Sequence, residues 1–497
     1  MTCLFAPSIA KRALKAIEFI CRQLSRFAKM TPVELMAYLR KNPKDAFCNI
    51  PHPKGNGHIH CGSLAWNKLN ELVDLTIELD HGLGRRVGRK LAKEAVINAF
   101  VKRVLQEARG VDQETAMLLL KDALTILREK LVVIEHYLPC VLFPGDTPTE
   151  FSVGPVTFVR RSKFFDDKKS VLKHSIHVNT KAHIQCVKEA IAQGFPQERT
   201  HTKDKSRQLV RKLQSRAVKA YKDYPWIACV KVSESDEAIS KERAIQATEM
   251  ALHIIRILLG AKKPTREIRL AWSRSGALRS AHLHADVHGV IHASLCADSL
   301  EPVGVINWHE VLIRANLELD ILGSALIPIV NPVETTHLHQ RLIDAINWFG
   351  DAVTDPNIHS SIVKYVSAIE RLFFGKFEAG RTKLFAGRVR DVLKAFSCDE
   401  GDRVYSQALE LYKTRSTLVH GEQFRTEDES FNIINLASEL SRMCLLYSAQ
   451  LYSMMLQAFE NPDSAKLEEI MKRINDEGLN WLAEAAALGC AKHSPIR

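Results

Sequence analysis

The chain has 497 residues, 46% of them hydrophobic and 25% charged. That length exceeds what one ordinary core organises, and the composition is that of a folded globular protein, so intrinsic disorder is excluded and two or three domains are expected. The formal net charge of +12 suits a polyanionic partner, because Lys and Arg that neutralise phosphates release condensed counterions; a basic excess serving only solubility is the alternative.

From Ser8 to about Leu138 apolar residues recur at helical spacing, with Leu69, Leu72, Val73 and Ile77 on one stripe and Leu118, Leu119, Ala123, Ile126 and Leu127 on another. Residues 1–138 therefore read as a mainly helical region. Asn49 to Ser63, rich in Pro, Gly and His, reads as a loop within it. Lys11, Arg12, Lys15, Glu18 and Arg22 interrupt any leader-like apolar run, and no stretch has the apolar length of a membrane span. Eleven cysteines lack CxxC spacing, and many sit in apolar runs, the pattern of reduced core thiols. A cytoplasmic protein without a membrane partner is expected.

Turn residues cluster after Leu138-Pro139, at Pro144-Gly145-Asp146, Pro148 and Gly154-Pro155. Short β-prone runs follow at Val156 to Arg160, Trp226 to Val232, Ile268 to Trp272 and Leu283 to Leu295, with helices at Thr202 to Tyr221 and Lys241 to Leu259. Residues 139–334 thus read as a mixed α and β middle domain. Residues 335–497 read as helical throughout, with helices at His337 to Ala352, His359 to Phe374, Arg381 to Phe396, Tyr405 to His420, Ser430 to Phe459 and Ser464 to Leu488. Asp355-Pro356 and Asn461-Pro462 punctuate them. The expected fold class is mainly α, with a mixed α/β middle and a C-terminal helical bundle.

One segment carries chemistry. Tyr412-Lys-Thr-Arg-Ser-Thr-Leu-Val-His-Gly421 sets Arg415 and His420 five residues apart near a helix end, with Gly421 suited to stop the helix in a left-handed conformation. Five residues turn a helix by about 140°, so arginine's length or fraying at the glycine is needed for both groups to reach one phosphate. The segment resembles the Rx4-6H signature of HEPN domains in its Apea-like form. The helix Ile362 to Phe373 is similar to that branch's "ALE-L" segment and supplies Glu370. The resemblance covers roughly residues 337–459.

The resemblance implies a bundle that forms a homodimer, bringing two Arg-His pairs to one groove that cuts RNA without a metal or cofactor. A ribose 2′-OH must lose a proton as it attacks phosphorus, and the leaving 5′-oxygen must gain one. Histidine titrates near neutrality and can do either, while arginine stays cationic and offers a planar fork to the phosphorane oxygens. Glu370 would orient Arg415 by a charge-assisted hydrogen bond, and Ser416, the residue after the arginine in this branch, would face substrate. The same family is associated with prokaryotic antiviral defence, including abortive infection, in which the N-terminal or middle region would sense a trigger. The rival reading is a non-catalytic HEPN module for RNA or nucleotide binding and dimerisation. On that view Glu370 is an ordinary helix carboxylate and His420 a helix-end histidine favoured by the dipole.

Three further constellations stand apart. His58-Ile-His60 faintly resembles the HxH metal motif of adenosine-deaminase-like amidohydrolases, without the alternating β and α chain that such a barrel needs; loop histidines are the alternative. His282, His284, His288 and His292 share one parity, the polar face of a strand or a metal- or RNA-binding face. Lys203 to Lys222 is a basic helix from which Lys212 and Arg216 would contact phosphates, unless it is a plain solvated face.

Overall fold

In the computed structural model residues 7–493 are described, except 56, 108–109, 146, 193–202, 272–278, 286–290, 298–306, 333–334, 376–379, 397–400, 422–423 and 425. The chain is mainly helical with a small antiparallel sheet region in the middle. It divides into two compact units: residues 1–134 with 232–243 and 330–334, and residues 135–231 with 244–329 and 335–497. Most of the mixed middle region and the C-terminal helices thus share one unit.

The first unit is built on α1 (Pro7–Ala28), α2 (Pro32–Lys41), α3 (Gly62–Glu78), α4 (Arg89–Phe100) and α5 (Gln113–Glu129). Thr31 starts α2 with a reciprocal cap, its hydroxyl accepting from the Glu34 amide while the Glu34 carboxylate accepts from the Thr31 amide. The apolar stripes predicted from periodicity meet in one core, with Leu69, Leu72, Leu119 and Phe100 fully buried. The segment read as a loop holds a hairpin, β1 (Asn49–Pro51) and β2 (His58–His60), with Ile50 opposite Ile59. Three-residue strands are too short for alternation to register in sequence.

The helical texture ends at β3 (Val132–Val141), earlier than the expected Leu138. Val132, Val133 and Ile134 are β-branched or strand-favouring, and extend the chain once α5 has ended. The sheet continues with β4 (Glu150–Val153), β5 (Val156–Arg160), β6 (Trp226–Ser235) and β7 (Arg269–Leu270), in the order β4-β5-β6-β3-β7. Gly154, at φ +54, turns the chain between β4 and β5, and a Cβ there would lie 2.1 Å from the Gly323 carbonyl oxygen. Between β5 and β6 the chain makes an antiparallel helical pair, α6 (Arg161–Ala192) and α7 (Lys203–Tyr221).

Next come α8 (Glu237–Leu259) and α9 (Lys263–Glu267), then a hairpin, β8 (Arg279–Ala285) with β9 (Ile291–Ala297), where one alternating run was expected. Three short helices lead to the bundle: α10 (Trp308–Arg314), α11 (Asn316–Ser324) and α12 (Ile327–Val330). Gly350 packs directly on His253 of α8, whose Nδ1 would lie 1.9 Å from an added Cβ. His253 Nδ1 also lies 2.6 Å from Arg256 Nη1, and Arg256 Nε donates to the Thr265 carbonyl at 3.0 Å.

The bundle comprises α13 (His337–Thr354), α14 (Ile358–Phe373), α15 (Arg381–Phe396), α16 (Gly401–Val419), α17 (Glu427–Ala458), α18 (Ser464–Glu477) and α19 (Asn480–His493). Asn357, Thr426 and Asp463 cap α14, α17 and α18 with side-chain oxygens. The expected last helix is two, divided at Gly478, whose φ of +70 a continuing helix cannot use. Val366, Ile369, Phe349, Phe385 and Leu445 fill the interior. No helix among the described residues is long and apolar enough to cross a membrane.

Candidate active site

Glu370 sits in the last turn of α14, and that turn is held from several sides. Buried Arg341 donates to the Arg371 and Phe374 carbonyl oxygens, and Arg388 donates to that of Phe373. The Tyr452 hydroxyl donates to the Leu372 carbonyl oxygen. These donors satisfy the carbonyls a helix end leaves unpaired and place cations where its dipole favours them. Arg388 is itself paired with buried Glu468 of α18, whose carboxylate also accepts from the Gly375 amide at 2.7 Å. The backbone that carries Glu370 is therefore fixed by buried bonds.

The Glu370 side chain is 13% exposed and faces α15 and α16. Its Oε1 accepts from the Tyr412 hydroxyl at 3.1 Å and lies 3.5 Å from Arg381 Nη1; its Oε2 lies 3.7 Å from Arg415 Nη2. The expected Glu370–Arg415 interaction is thus an ion pair, longer than the direct hydrogen bond anticipated. The reason is competition: tyrosine and a second arginine share the same carboxylate. Glu370 thus divides its one carboxylate among Tyr412, Arg381 and Arg415.

Tyr412 is buried, with its ring 4.8 Å from that of Phe385. Burial first, and then the Glu370 carboxylate, push its phenol above the ordinary value, keeping it a neutral donor near pH 7. Arg415 stands one turn further along α16, half-buried, with its Cζ 5.9 Å from the Tyr412 ring centroid. Its Nε is buried and makes no hydrogen bond to the described residues.

His420 closes the motif. Its amide donates to the Ser416 and Thr417 carbonyls at 3.3 and 3.1 Å, and Gly421 then turns at φ +92, as the sequence predicts. Helix α16 ends at Val419, so Arg415 lies in its last turns and His420 in the turn that follows, just before Gly421. His420 is exposed, and Ser416 is half-exposed between the two. Beyond the glycine, Phe424 packs edge-on against His359 at the start of α14, 5.1 Å between rings.

Arg381 is the residue that sequence reasoning missed. It is the first residue of α15, where the helix dipole disfavours a cation; an arginine at that position signals a carboxylate partner elsewhere. Lys212 and Arg216 are exposed on α7, which packs on α6 and not on the helices that carry Glu370 and Arg415. His60 Nδ1 lies 2.9 Å from Asn49 Oδ1, and its ring stands edge-on to Phe27 at 4.8 Å, while His58 is exposed. Backbone register sets His284 opposite His292 and His282 opposite Ser294, and His288 lies outside the described residues. Among the described residues no three His, Cys, Asp or Glu side chains are grouped to hold a metal ion. No protein-family model, curated protein or solved structure matches the chain.

Proposed function

We propose that this chain is a metal-independent endoribonuclease of the Apea-like HEPN kind, working as a homodimer. The observation that carries the reading is the carboxylate-centred set of Glu370, Tyr412 and Arg415, with an unspent Arg415 donor, on the helix that ends in exposed His420. One histidine accepts the 2′-OH proton as that oxygen attacks phosphorus, and a second protonates the departing 5′-oxygen. Arg415 stabilises the phosphorane between them. The products are a 2′,3′-cyclic phosphate and a 5′-hydroxyl.

A single His420 cannot serve both oxygens, so the second comes from another copy. Val419 within the motif and Phe431 beyond it, 54% and 64% exposed, are apolar surface that a partner bundle would cover. RNA is the substrate class, with Ser416 at its edge. The remaining regions sense a trigger, and a role in antiviral defence by abortive infection follows on this reading.

The test is incubation of the full chain with total RNA in EDTA, wild type against His420→Ala. Cleavage leaving 5′-hydroxyl ends, reduced by about 10²-fold or more in the variant, is expected. Undiminished cleavage by His420→Ala would sink the assignment. The position of His420, exposed and past the end of α16 while Arg415 is held at Glu370, favours, as second reading, a non-catalytic RNA-binding and dimerisation module; no cleavage by either protein would support it.

A further inference from the structure

The basic character of this protein is concentrated in one place. Helices α6 and α7 carry fourteen Lys and Arg against four Asp and Glu, a net +10, whereas the whole chain is +12. Two helices of 32 and 19 residues thus carry a net charge nearly equal to that of the whole chain, and the charges of the rest, basic helices such as α1 and α15 included, almost cancel in sum. Such a concentration is unfavourable for the fold itself, because like charges crowd along two adjacent helices.

The pair is nonetheless built as a unit. At its base the Arg161 amide donates to the Pro225 carbonyl at 3.0 Å, and the Arg161 guanidinium donates to that of Lys222. Midway, Gln214 Nε2 donates to the Leu172 carbonyl at 2.9 Å. Near its far end His183 Nδ1 meets the hydroxyl of buried Ser206 at 3.1 Å. With 32 residues α6 is about 48 Å long.

Between the helices runs an open cleft of 970 Å³. Its floor is apolar and half-buried, with Phe165, Leu172, Ile176 and Val218. Its rim is cationic: Lys169 and Lys173 on α6, Arg211 on α7, and Lys222 just beyond it are all exposed, with Arg161 at the base and Asp166 the one acid of the lining. Gln214 also lines the cleft, and with its Nε2 spent on Leu172 its Oε1 is buried without a hydrogen-bond partner among the described residues. Lys212 and Arg216, the cations singled out from sequence, are not among the lining residues; their neighbour Arg211 is.

We infer that this cleft seats a single strand of nucleic acid, phosphates against the cationic rim and bases over the Phe165 floor. A positively charged groove with an aromatic, apolar floor is the general solution for single strands, since every base has a stacking face and every linkage a charge. The Gln214 carbonyl oxygen offers an acceptor to a base amino or imino group. An anionic membrane is the competing partner for basic helices, but it needs a continuous apolar face rich in large side chains. Among the described residues of this pair the exposed large hydrophobics are Val171, Val178, Leu209 and Leu213. The arrangement is concave and rimmed by charge, which favours the strand.

The inference stands whether or not the chain cuts RNA, and its test is separated from that question. Binding is measured on the full chain carrying His420→Ala, by fluorescence anisotropy of a mixed-sequence 20-nucleotide RNA, the same sequence as single-stranded DNA, and an RNA duplex. Single strands of either sugar bind more tightly than the duplex, and log Kd varies with log salt with a slope of about 3 for four contacted phosphates. Two pairs of equal charge change locate the site. Lys169→Glu with Arg211→Glu, both in the cleft, weakens binding by about tenfold or more and lowers the slope by about 2. Lys212→Glu with Arg216→Glu, outside it, weakens binding by only a few-fold. Circular dichroism and thermal melting of both double variants guard against unfolding, and Gln214→Leu, which removes no charge, reduces single-strand affinity without changing the slope. Equal losses from the two pairs, preference for the duplex, or tighter association with phosphatidylserine vesicles than with the oligonucleotides would each overturn the proposal.

Discussion

Replacing Glu370 by glutamine is the most informative single change at the candidate site. Glutamine has the same shape and keeps an oxygen for the Tyr412 hydroxyl, so the substitution removes one charge and leaves that hydrogen bond possible. At 3.7 Å from Arg415 and 3.5 Å from Arg381, each attraction is about 4–5 kcal/mol at an effective dielectric of about 20. That is a gross figure. Both arginine side chains are 29% exposed, and desolvation and screening offset most of it, leaving a net loss of about 1–3 kcal/mol. The two arginines would then repel one another across an uncharged amide. Because the chain has two compact units, a whole-molecule melting curve is not a clean measure. Hydrogen exchange of the α14 and α16 amides, wild type against Glu370→Gln, reads the local opening free energy instead. A double-mutant cycle with Arg415→Gln should give a coupling of about 1 kcal/mol. RNA cleavage should fall in parallel, as Arg415 loses its fixed orientation. Unchanged exchange protection together with a coupling near zero would refute the view that Glu370 positions Arg415.

Tyr412→Phe removes the hydroxyl that Glu370 accepts, and should cost about 1–2 kcal/mol by the same exchange measurement; an unaltered rate would show that the bond contributes nothing. Gly350→Ala drives a methyl into the buried His253 ring and should destabilise the second unit by about 3 kcal/mol, seen as a lower urea midpoint. His253 is held well below the ordinary histidine range, by burial first and then by Arg256. Its folded form therefore stays neutral while the unfolded chain takes up a proton below pH about 6.5. The stability it contributes is present above that pH and lost as pH falls, by up to about 1.4 kcal/mol per pH unit. Urea midpoints between pH 7.5 and 5.5 should therefore drop less steeply in His253→Gln than in the wild type; equal slopes would contradict the assignment.

Local signals were legible in sequence where burial is one-sided. Helix α15 runs over the residues that periodicity assigns to it because it buries one face, while strand β5, buried on both faces, is marked instead by its β-branched run next to Gly154-Pro155. Helix α6 has no such signature. It is a 32-residue helix in which Phe164, Thr180 and Val187 are the buried residues among those described, so its sequence lacks the stripe that marks packing. It is held instead by its partner helix and a few side-chain bonds. At the site, Glu370, Arg415 and His420 were legible through a motif and a resemblance. The role of Arg381 was not, since its partner lies on another helix and only the structure sets it beside Glu370. Nor does the spacing of Arg415 and His420 reveal that the helix stops between them, at Val419.

The buried pair of Arg388 and Glu468 has a consequence for how the chain can be cut. Glu468 belongs to α18, beyond the Asn461-Pro462 break, in what reads as a detachable tail. Yet it holds the arginine and the Gly375 amide that steady the end of α14. A fragment stopping at residue 460, although it keeps every residue of the motif, would take Glu468 away from both the Arg388 guanidinium and the Gly375 amide. Minimal versions of this bundle should therefore include α18, because the end of α14 that carries Glu370 leans on a carboxylate that lies beyond the motif.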